Sequence, residues 1–268
     1  MTPATVLDPP APGVIAFFKV LADETRLTII RLLTLTDLRA GELVEMLGLP
    51  QNAVSYHLKH LRAAGLLRDH RSQADARDIY YSLAWEKLEA LYAAAGAALR
   101  LGNTPPRPPR PTERPVRVLF LCTHNSARSQ LAEGLLRYLG GAAVAVASAG
   151  SSPAAAVHPD AVALLAAWGI DPAPHRPKPL SAVVDQPFDV LITVCDRVRE
   201  QCPTFAHGPR PIHWSIPDPA TLADDTARQA AFAAVGQELQ TRIRYLLGQL
   251  QPGPGAPVMG SAGAGAGR

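Results

Sequence analysis

Apolar residues recur at helical spacing through the first hundred positions of the chain. Val14–Leu21 and Thr25–Leu35 carry such stripes and predict two helices, with Asp23 placed to cap the second. Gly41–Leu47 predicts a short helix and Gly48-Leu49-Pro50 a turn, followed by a helix over Gln51–Ala64 that Gly65 ends. Leu66–Arg71 and Ile79–Leu83 predict the strands of a hairpin, joined by the polar stretch Ser72–Asp78. Trp85–Arg100, rich in Ala and Leu, predicts a last helix. Beyond residue 115 the pattern changes to alternation. Short apolar runs at 116–121, 144–147, 188–194 and 211–213 predict strands. Between and after them, 129–139, 159–168 and 226–249 predict helices, with a shorter one after Cys195. Alternating strands and helices predict a parallel sheet covered by helices, an α/β three-layer arrangement.

Between these regimes lies Leu101–Pro115, with six prolines in fifteen residues. Neither a helix nor a central strand accommodates that, so it predicts a stiff, extended linker. The expected organisation is a mainly α unit over 14–100, a linker over 101–115, an α/β unit over 116–250 and a Gly/Ala/Pro-rich disordered tail over 251–268. With 268 residues, 47% hydrophobic and 18% charged, the chain has material for two ordinary cores. No apolar run approaches the roughly 20 residues a membrane span needs, and no signal-peptide pattern opens the sequence. The three cysteines all follow residue 121 and are odd in number, so we expect functional thiols in a reducing cytoplasm rather than a disulfide scaffold. Net charge is +3, and the excess sits in residues 101–117. Global charge therefore does not argue for nucleic acid; local clustering must.

The chemistry of the second unit concentrates in Cys122-Thr123-His124-Asn125-Ser126-Ala127-Arg128-Ser129, between a predicted strand and a predicted helix. Five residues between Cys and Arg suffice to wrap a loop, Thr123 to Ser129, around one tetrahedral oxyanion. Backbone N–H groups and the helix N-terminus point inward, and the Arg128 fork takes two oxygens. The same positive field favours a thiolate, so Cys122 is expected to be a nucleophile at neutral pH. Ser129 can hydrogen-bond the sulfur, and Asn125 can set the loop's shape. Asp218-Pro219, after the last predicted strand, offers either a proton donor to a leaving oxygen or an ordinary turn. Cys195 and Cys202, seven positions apart, are either buried structural cysteines or partners of Cys122. Their spacing does not make a metal site, so no metal is expected.

In the first unit, a short helix, a turn and a second helix make a helix-turn-helix pattern, which occurs in DNA readers and also in plain helical bundles. Val54, Leu58 and Leu61 form the apolar stripe of the second helix. Gln51, Asn52, Ser55, Tyr56 and His57 lie towards its N-terminal end, which meets base edges in such readers. Lys59, Arg62, Arg68 and Arg71 suit phosphates, and residues 50–71 hold four basic side chains against one acidic.

Phe17–Leu27, Val54–Leu66 and Ile79-Tyr-Tyr-Ser-Leu83 resemble the ArsR/SmtB family of winged helix-turn-helix repressors over roughly residues 14–95. That resemblance implies a homodimer, formed through the first and last helices of the unit, on a double-stranded DNA operator with inverted-repeat symmetry. The chain departs from the family at the effector site. Asp37–Leu43 has no thiol pair, and the final helix lacks the Asp/His set of zinc-sensing members.

Cys122–Ser129, Ser148-Ala-Gly150, Thr193-Val-Cys195, Cys202-Pro203, His213-Trp214 and Asp218-Pro-Ala220 resemble the thioredoxin-coupled arsenate reductases of the low-molecular-weight tyrosine phosphatase fold, over about 116–249. The resemblance implies that Cys122 attacks arsenate, Arg128 binds the oxyanion and Asp218 protonates the leaving hydroxide. Cys195 and Cys202 then resolve in turn, and thioredoxin or another thiol donor reduces the final disulfide, with no bound cofactor. Ala127 stands where many of these enzymes carry an extra cysteine, and His124 where Gly is common. Some members bind potassium beside the loop. Asn125, Glu133 and Ser148 match that set, but Lys178 stands near its Asp position, which implies an ammonium in place of the ion. Two alternatives stay open: a tyrosine phosphatase, which needs Cys122, Arg128 and Asp218 only, and a non-catalytic arsenic sensor acting on the DNA-binding unit.

Overall fold

A computed structural model describes residues 12–99, 114–201, 209 and 211–250. The 101–113 stretch of the expected linker, the expected tail 251–268 and Cys202 lie outside the described residues. Two compact units divide the chain. One holds residues 12–70 and 78–99; the other holds 71–77, 114–201 and 211–250.

The first unit runs α1 (Pro12–Leu21), α2 (Glu24–Leu33), β1 (Leu38–Arg39), α3 (Ala40–Leu47), α4 (Gln51–Ala63), β2 (Leu67–Arg71), β3 (Ile79–Leu83) and α5 (Trp85–Ala98). Asp23 caps α2, its carboxylate accepting from Arg26 N at 2.8 Å. Gly48 ends α3 at φ 64° and Gly65 follows α4 at φ 69°, left-handed positions where a Cβ is disfavoured. Ile29, Leu33, Leu43, Val54, Leu61 and Leu66 are fully buried in one core. The hairpin is the wing, extended by β1 into a sheet of order β1-β3-β2. At two residues, β1 is too short to show a period in the sequence. An ion pair from Arg39 to Asp78 at 2.6 Å ties its end to the entry of β3.

The second unit runs β4 (Val116–Cys122), α6 (Arg128–Gly140), β5 (Val144–Gly150), α7 (Pro159–Ala167), β6 (Val190–Thr193), α8 (Asp196–Gln201), β7 (Ile212–His213) and α9 (Asp225–Gln249). The four strands are all parallel, in the order β5-β4-β6-β7. Val118-Leu-Phe-Leu121 is buried without alternation because β4 is central and covered on both faces. β5 runs to Gly150, three residues beyond the expected end, pairing Ser148–Gly150 with Phe120–Cys122. Those polar and small residues break the apolar run that marked the strand, so its end was hidden in the sequence. At the N-terminal edge, Arg114 makes a bidentate pair with Asp189 at 2.7 and 2.8 Å, joining the last expected linker residues to this unit. Among the described residues no helix is long and apolar enough to cross a membrane.

Candidate active site

Cys122 is the last residue of β4, and α6 begins at Arg128, so the loop occupies the carboxyl end of a central parallel strand, where open α/β sheets place ligands. Its shape is set from outside. The carbonyls of Cys122, Thr123, His124 and Ser126 accept hydrogen bonds from the N–H groups of Ser151, Ser152, Ala154 and His158, at 2.9–3.2 Å. Carbonyls held outward turn the peptide N–H groups inward, and the Asn125 N–H indeed reaches Cys122 Sγ at 3.0 Å. Asn125 takes a positive φ of 48°, unusual for a residue with a side chain. Gly150 lies so close that a Cβ on it would stand 2.6 Å from the Thr123 carbonyl oxygen.

Arg128 is buried, with its Nη1 donating to the Ile216 carbonyl at 2.8 Å and its Nη2 to Asp218 Oδ2 at 2.6 Å. The Arg128 fork and the candidate acid Asp218 thus share one position at the loop. The other Asp218 oxygen accepts from Ala220 N at 3.2 Å, capping a 3-10 turn over Pro219–Thr221, so the residue also serves the ordinary turn. Cys122 Sγ lies 2.9 Å from Ser129 Oγ. Burial pushes the Cys122 thiol above its usual range and Cys195 adds to that, while Arg128, the Ser129 hydroxyl and the Asn125 N–H pull it back. The positive field expected from the sequence is present in the pull of Arg128, and burial opposes it. The Arg128 charge is shared with Asp218, and desolvation, invisible in a sequence motif, opposes ionisation.

Cys195 follows β6, is buried, and places its sulfur 3.4 Å from Thr123 Oγ1. The next residue, Asp196, accepts from His213 Nε2 at 3.1 Å and from the Ser215 hydroxyl. With Nε2 facing a carboxylate, His213 Nδ1 is left to accept from the Thr193 hydroxyl at 2.8 Å. Burial holds His213 down at about 4, and hydrogen bonds from His213 and Ser215 overcome burial to hold Asp196 at about 2.

Beneath the loop, Gln130 Nε2 donates to the Asn125 backbone carbonyl at 3.0 Å and side-chain oxygen at 3.1 Å, and Gln130 Oε1 accepts from His175 Nδ1 at 2.9 Å. Gln130 was not expected from the sequence; it lies buried in the first turn of α6, beside Arg128 and Ser129. Glu133 meets Lys178 Nζ at 3.2 Å, together with Arg137 and the Ser148 hydroxyl. These residues do not fit a potassium ion, because an ammonium already sits on the carboxylate that would hold it. Among the described residues no group of three or more His, Cys, Asp or Glu is arranged to hold a metal ion.

In the first unit, Gln51, Asn52, Ser55, Tyr56 and Lys59 project from α4 into solvent, Tyr56 with 55% exposure. Arg62 is exposed but paired with Asp69 at 2.8 Å, and Arg71 donates to the Ala76 carbonyl at 2.7 Å within the wing turn. His57 departs from its expected base-facing placement. Its side chain is only 14% exposed and its Nδ1 lies 3.5 Å from Asp23, because position 57 neighbours the buried Val54, Leu58 and Leu61 stripe.

Residues 117–253 match the low molecular weight phosphotyrosine protein phosphatase family, and residues 23–69 match the arsR family of bacterial regulatory proteins. An arsenate reductase of Halalkalibacterium halodurans is 34% identical over 128 residues, 47% of this chain and 91% of the relative. A glutaredoxin arsenate reductase of Synechocystis is 29% identical over 134 residues, 50% of this chain and 98% of the relative. A solved arsenate reductase in its phosphate-binding state is 29% identical, covering 51% of this chain and 99% of that one, with a TM-score of 0.44.

Proposed function

The chain belongs to the low molecular weight phosphotyrosine protein phosphatase family and carries an arsR-family helix-turn-helix, and on that premise we propose that it is a DNA-binding regulator fused to an arsenate reductase. The observation that carries the reading is the placement of a second buried thiol, Cys195, across Thr123 from the loop nucleophile Cys122. A phosphatase has no use for a second thiol there; a reductase needs one.

The Cys122 thiolate attacks arsenic, held by Arg128 and the loop N–H groups, and hydroxide leaves as water with a proton from Asp218. The Cys195 sulfur then attacks Cys122. A Cys122–Cys195 disulfide forms, the S–As bond breaks, and arsenic keeps the electron pair and departs as arsenite. Cys202 attacks Cys195, freeing the Cys122 thiolate and leaving a Cys195–Cys202 disulfide that the dithiol of thioredoxin reduces. The second step passes two electrons from the thiols to arsenic and the later steps are thiol–disulfide exchange, so no bound cofactor is required. The first unit binds a double-stranded operator as a homodimer in the cytoplasm, Gln51, Asn52, Ser55 and Tyr56 facing bases and Lys59, Arg62 and Arg71 facing phosphates. Residues 1–121 contain no cysteine, which favours a second role for the thiol unit as the arsenic-responsive element of the regulator.

The test is arsenate-dependent NADPH oxidation with thioredoxin and thioredoxin reductase, on wild type and Cys202→Ser. Turnover that collapses in the variant supports the relay. Cleavage of p-nitrophenyl phosphate without arsenate turnover would replace it with a phosphatase. Inertness to both, with arsenite changing operator affinity, would leave a sensor.

A further inference from the structure

One residue of the second unit reaches the Cys122 site from outside the phosphatase-family match, which begins at residue 117. The turn over 71–77 belongs to this unit and is stiff by itself. Buried Ser72 accepts from the Ala74 and Asp75 N–H groups at 3.0 and 3.2 Å, and Asp75 accepts from the Arg77 N–H at 2.9 Å. With the next two N–H groups taken by Ser72, that of Gln73 points away from the turn. It donates to Asp196 Oδ2 at 2.8 Å, 123 positions along the chain. The Gln73 side chain turns to Arg128. An arginine N–H only donates, so the amide oxygen Oε1 is the atom that faces Nη1, 3.5 Å away.

We propose that Gln73 is a positioning residue of the reductase site, its side chain steadying Arg128 and its backbone N–H steadying Asp196 beside Cys195. This rests on the reading of Arg128 as the oxyanion fork and of Cys195 as the resolving thiol. The two arms act on different steps. At Arg128, Nη1 divides its hydrogens between the Ile216 carbonyl and Gln73 Oε1, and Nη2 meets Asp218. These three acceptors set the plane of the guanidinium, and a planar fork needs the right plane to take two oxygens of one anion. At Asp196, His213 and Ser215 donate to Oδ1, and Gln73 donates to Oδ2. Held at both oxygens, the carboxylate does not rotate, and the backbone that follows Cys195 is pinned. On the other side, the Val194 N–H donates to the Leu121 carbonyl at 2.8 Å. Cys195 is thus fixed through both of its neighbours, with its sulfur beside Thr123 of the loop.

The experiment uses the full-length reduced protein carrying Cys202→Ser, so that Cys122 and Cys195 are the thiols that remain. Oxyanion binding is read as protection of Cys122 from iodoacetamide by inorganic phosphate, followed on the Cys122 peptide by mass spectrometry. The approach of the two sulfurs is read as the rate at which diamide forms the Cys122–Cys195 disulfide, taking two electrons and two protons from the thiols. Gln73→Met keeps the length and the N–H but has no oxygen acceptor. It is expected to raise the phosphate concentration for half-protection about threefold and to leave the disulfide rate unchanged. Gln73→Pro removes the N–H as well, and is expected to slow the disulfide about tenfold. Protection at the parent level in Gln73→Met, an equal loss of both readouts in that variant, or a parent-like disulfide rate in Gln73→Pro overturns the proposal. If Gln73→Pro fails to fold by circular dichroism, Gln73→Met decides alone. Neither readout needs arsenate turnover. Phosphate that fails to protect the parent protein removes the oxyanion reading and this proposal with it. Phosphate that protects the parent and Gln73→Met equally removes this proposal and leaves the oxyanion reading standing.

Discussion

The two candidate sites handle polar side chains in opposite ways. On α4, Gln51, Asn52, Ser55, Tyr56 and Lys59 stand in water on the far side of a helix whose apolar stripe is buried. In the Cys122 loop, Asn125, Ser129 and Gln130 are fully buried and satisfy one another. A solvated surface loses little when one member changes, since water replaces the contact. A buried network loses the full desolvation penalty of each group left unpaired. The first site should therefore respond to substitution gradually and the second abruptly.

The comparison breaks hardest at Cys122. Cys122→Ser is expected to abolish arsenate reduction in the thioredoxin-coupled assay, while operator affinity measured by fluorescence anisotropy stays within about twofold. Loss of both would mean that the two sites are not separable. Gly150→Ala comes next. Its new Cβ meets a backbone carbonyl, which cannot turn aside as a flexible side chain would. Thermal unfolding of the second unit should show a cost of about 1–3 kcal/mol, and a neutral result would show that the loop yields.

The buried His213–Asp196 pair sharpens the contrast through pH. His213 titrates at about 4 in the fold against an ordinary 6.5, so the unfolded chain binds more protons between those values. Stability of the second unit, present above pH 6.5, should fall as pH drops from 6.5 towards 4. Asp196, held at about 2, adds a further loss only below its ordinary 3.8. Urea titrations at successive pH values check this, and His213→Gln should flatten the upper part of the slope. At the exposed site, Lys59→Ala should weaken binding evenly across operator sequences and reduce the slope of log K against log salt by about 1. A change of sequence preference instead would place Lys59 on bases. The smallest effect concerns the cation beside the loop. With Lys178 on Glu133, replacing sodium by potassium should change turnover by less than about twofold, and strong potassium activation would show that the ammonium does not stand in for an ion.

Much of both units was readable from periodicity, because helices and central strands repeat one local pattern over many residues. The Asp23 cap, the glycine ends of α3 and α4 and the strand-loop-helix around Cys122 are local signals of this kind. Elements that depend on partners were not readable. The two-residue β1 exists only because β3 lies beside it, and β5 runs past its apolar run only because β4 pairs with Ser148–Gly150.

By itself the sequence determined two units of different class, a surface helix with polar residues off its apolar stripe, and a Cys-x5-Arg loop between a strand and a helix. Each depends on residues near one another in the chain, where spacing alone decides geometry. Only the tertiary structure decided that His57 turns in towards Asp23, that Arg128 is held by Asp218 some ninety positions away, and that burial works against the charge of Cys122. It alone brought Gln130, Ser148 and Glu133 into the hydrogen bonds around Asn125. Burial and hydrogen-bond direction are properties of what surrounds a group, and those surroundings are assembled from distant parts of the chain.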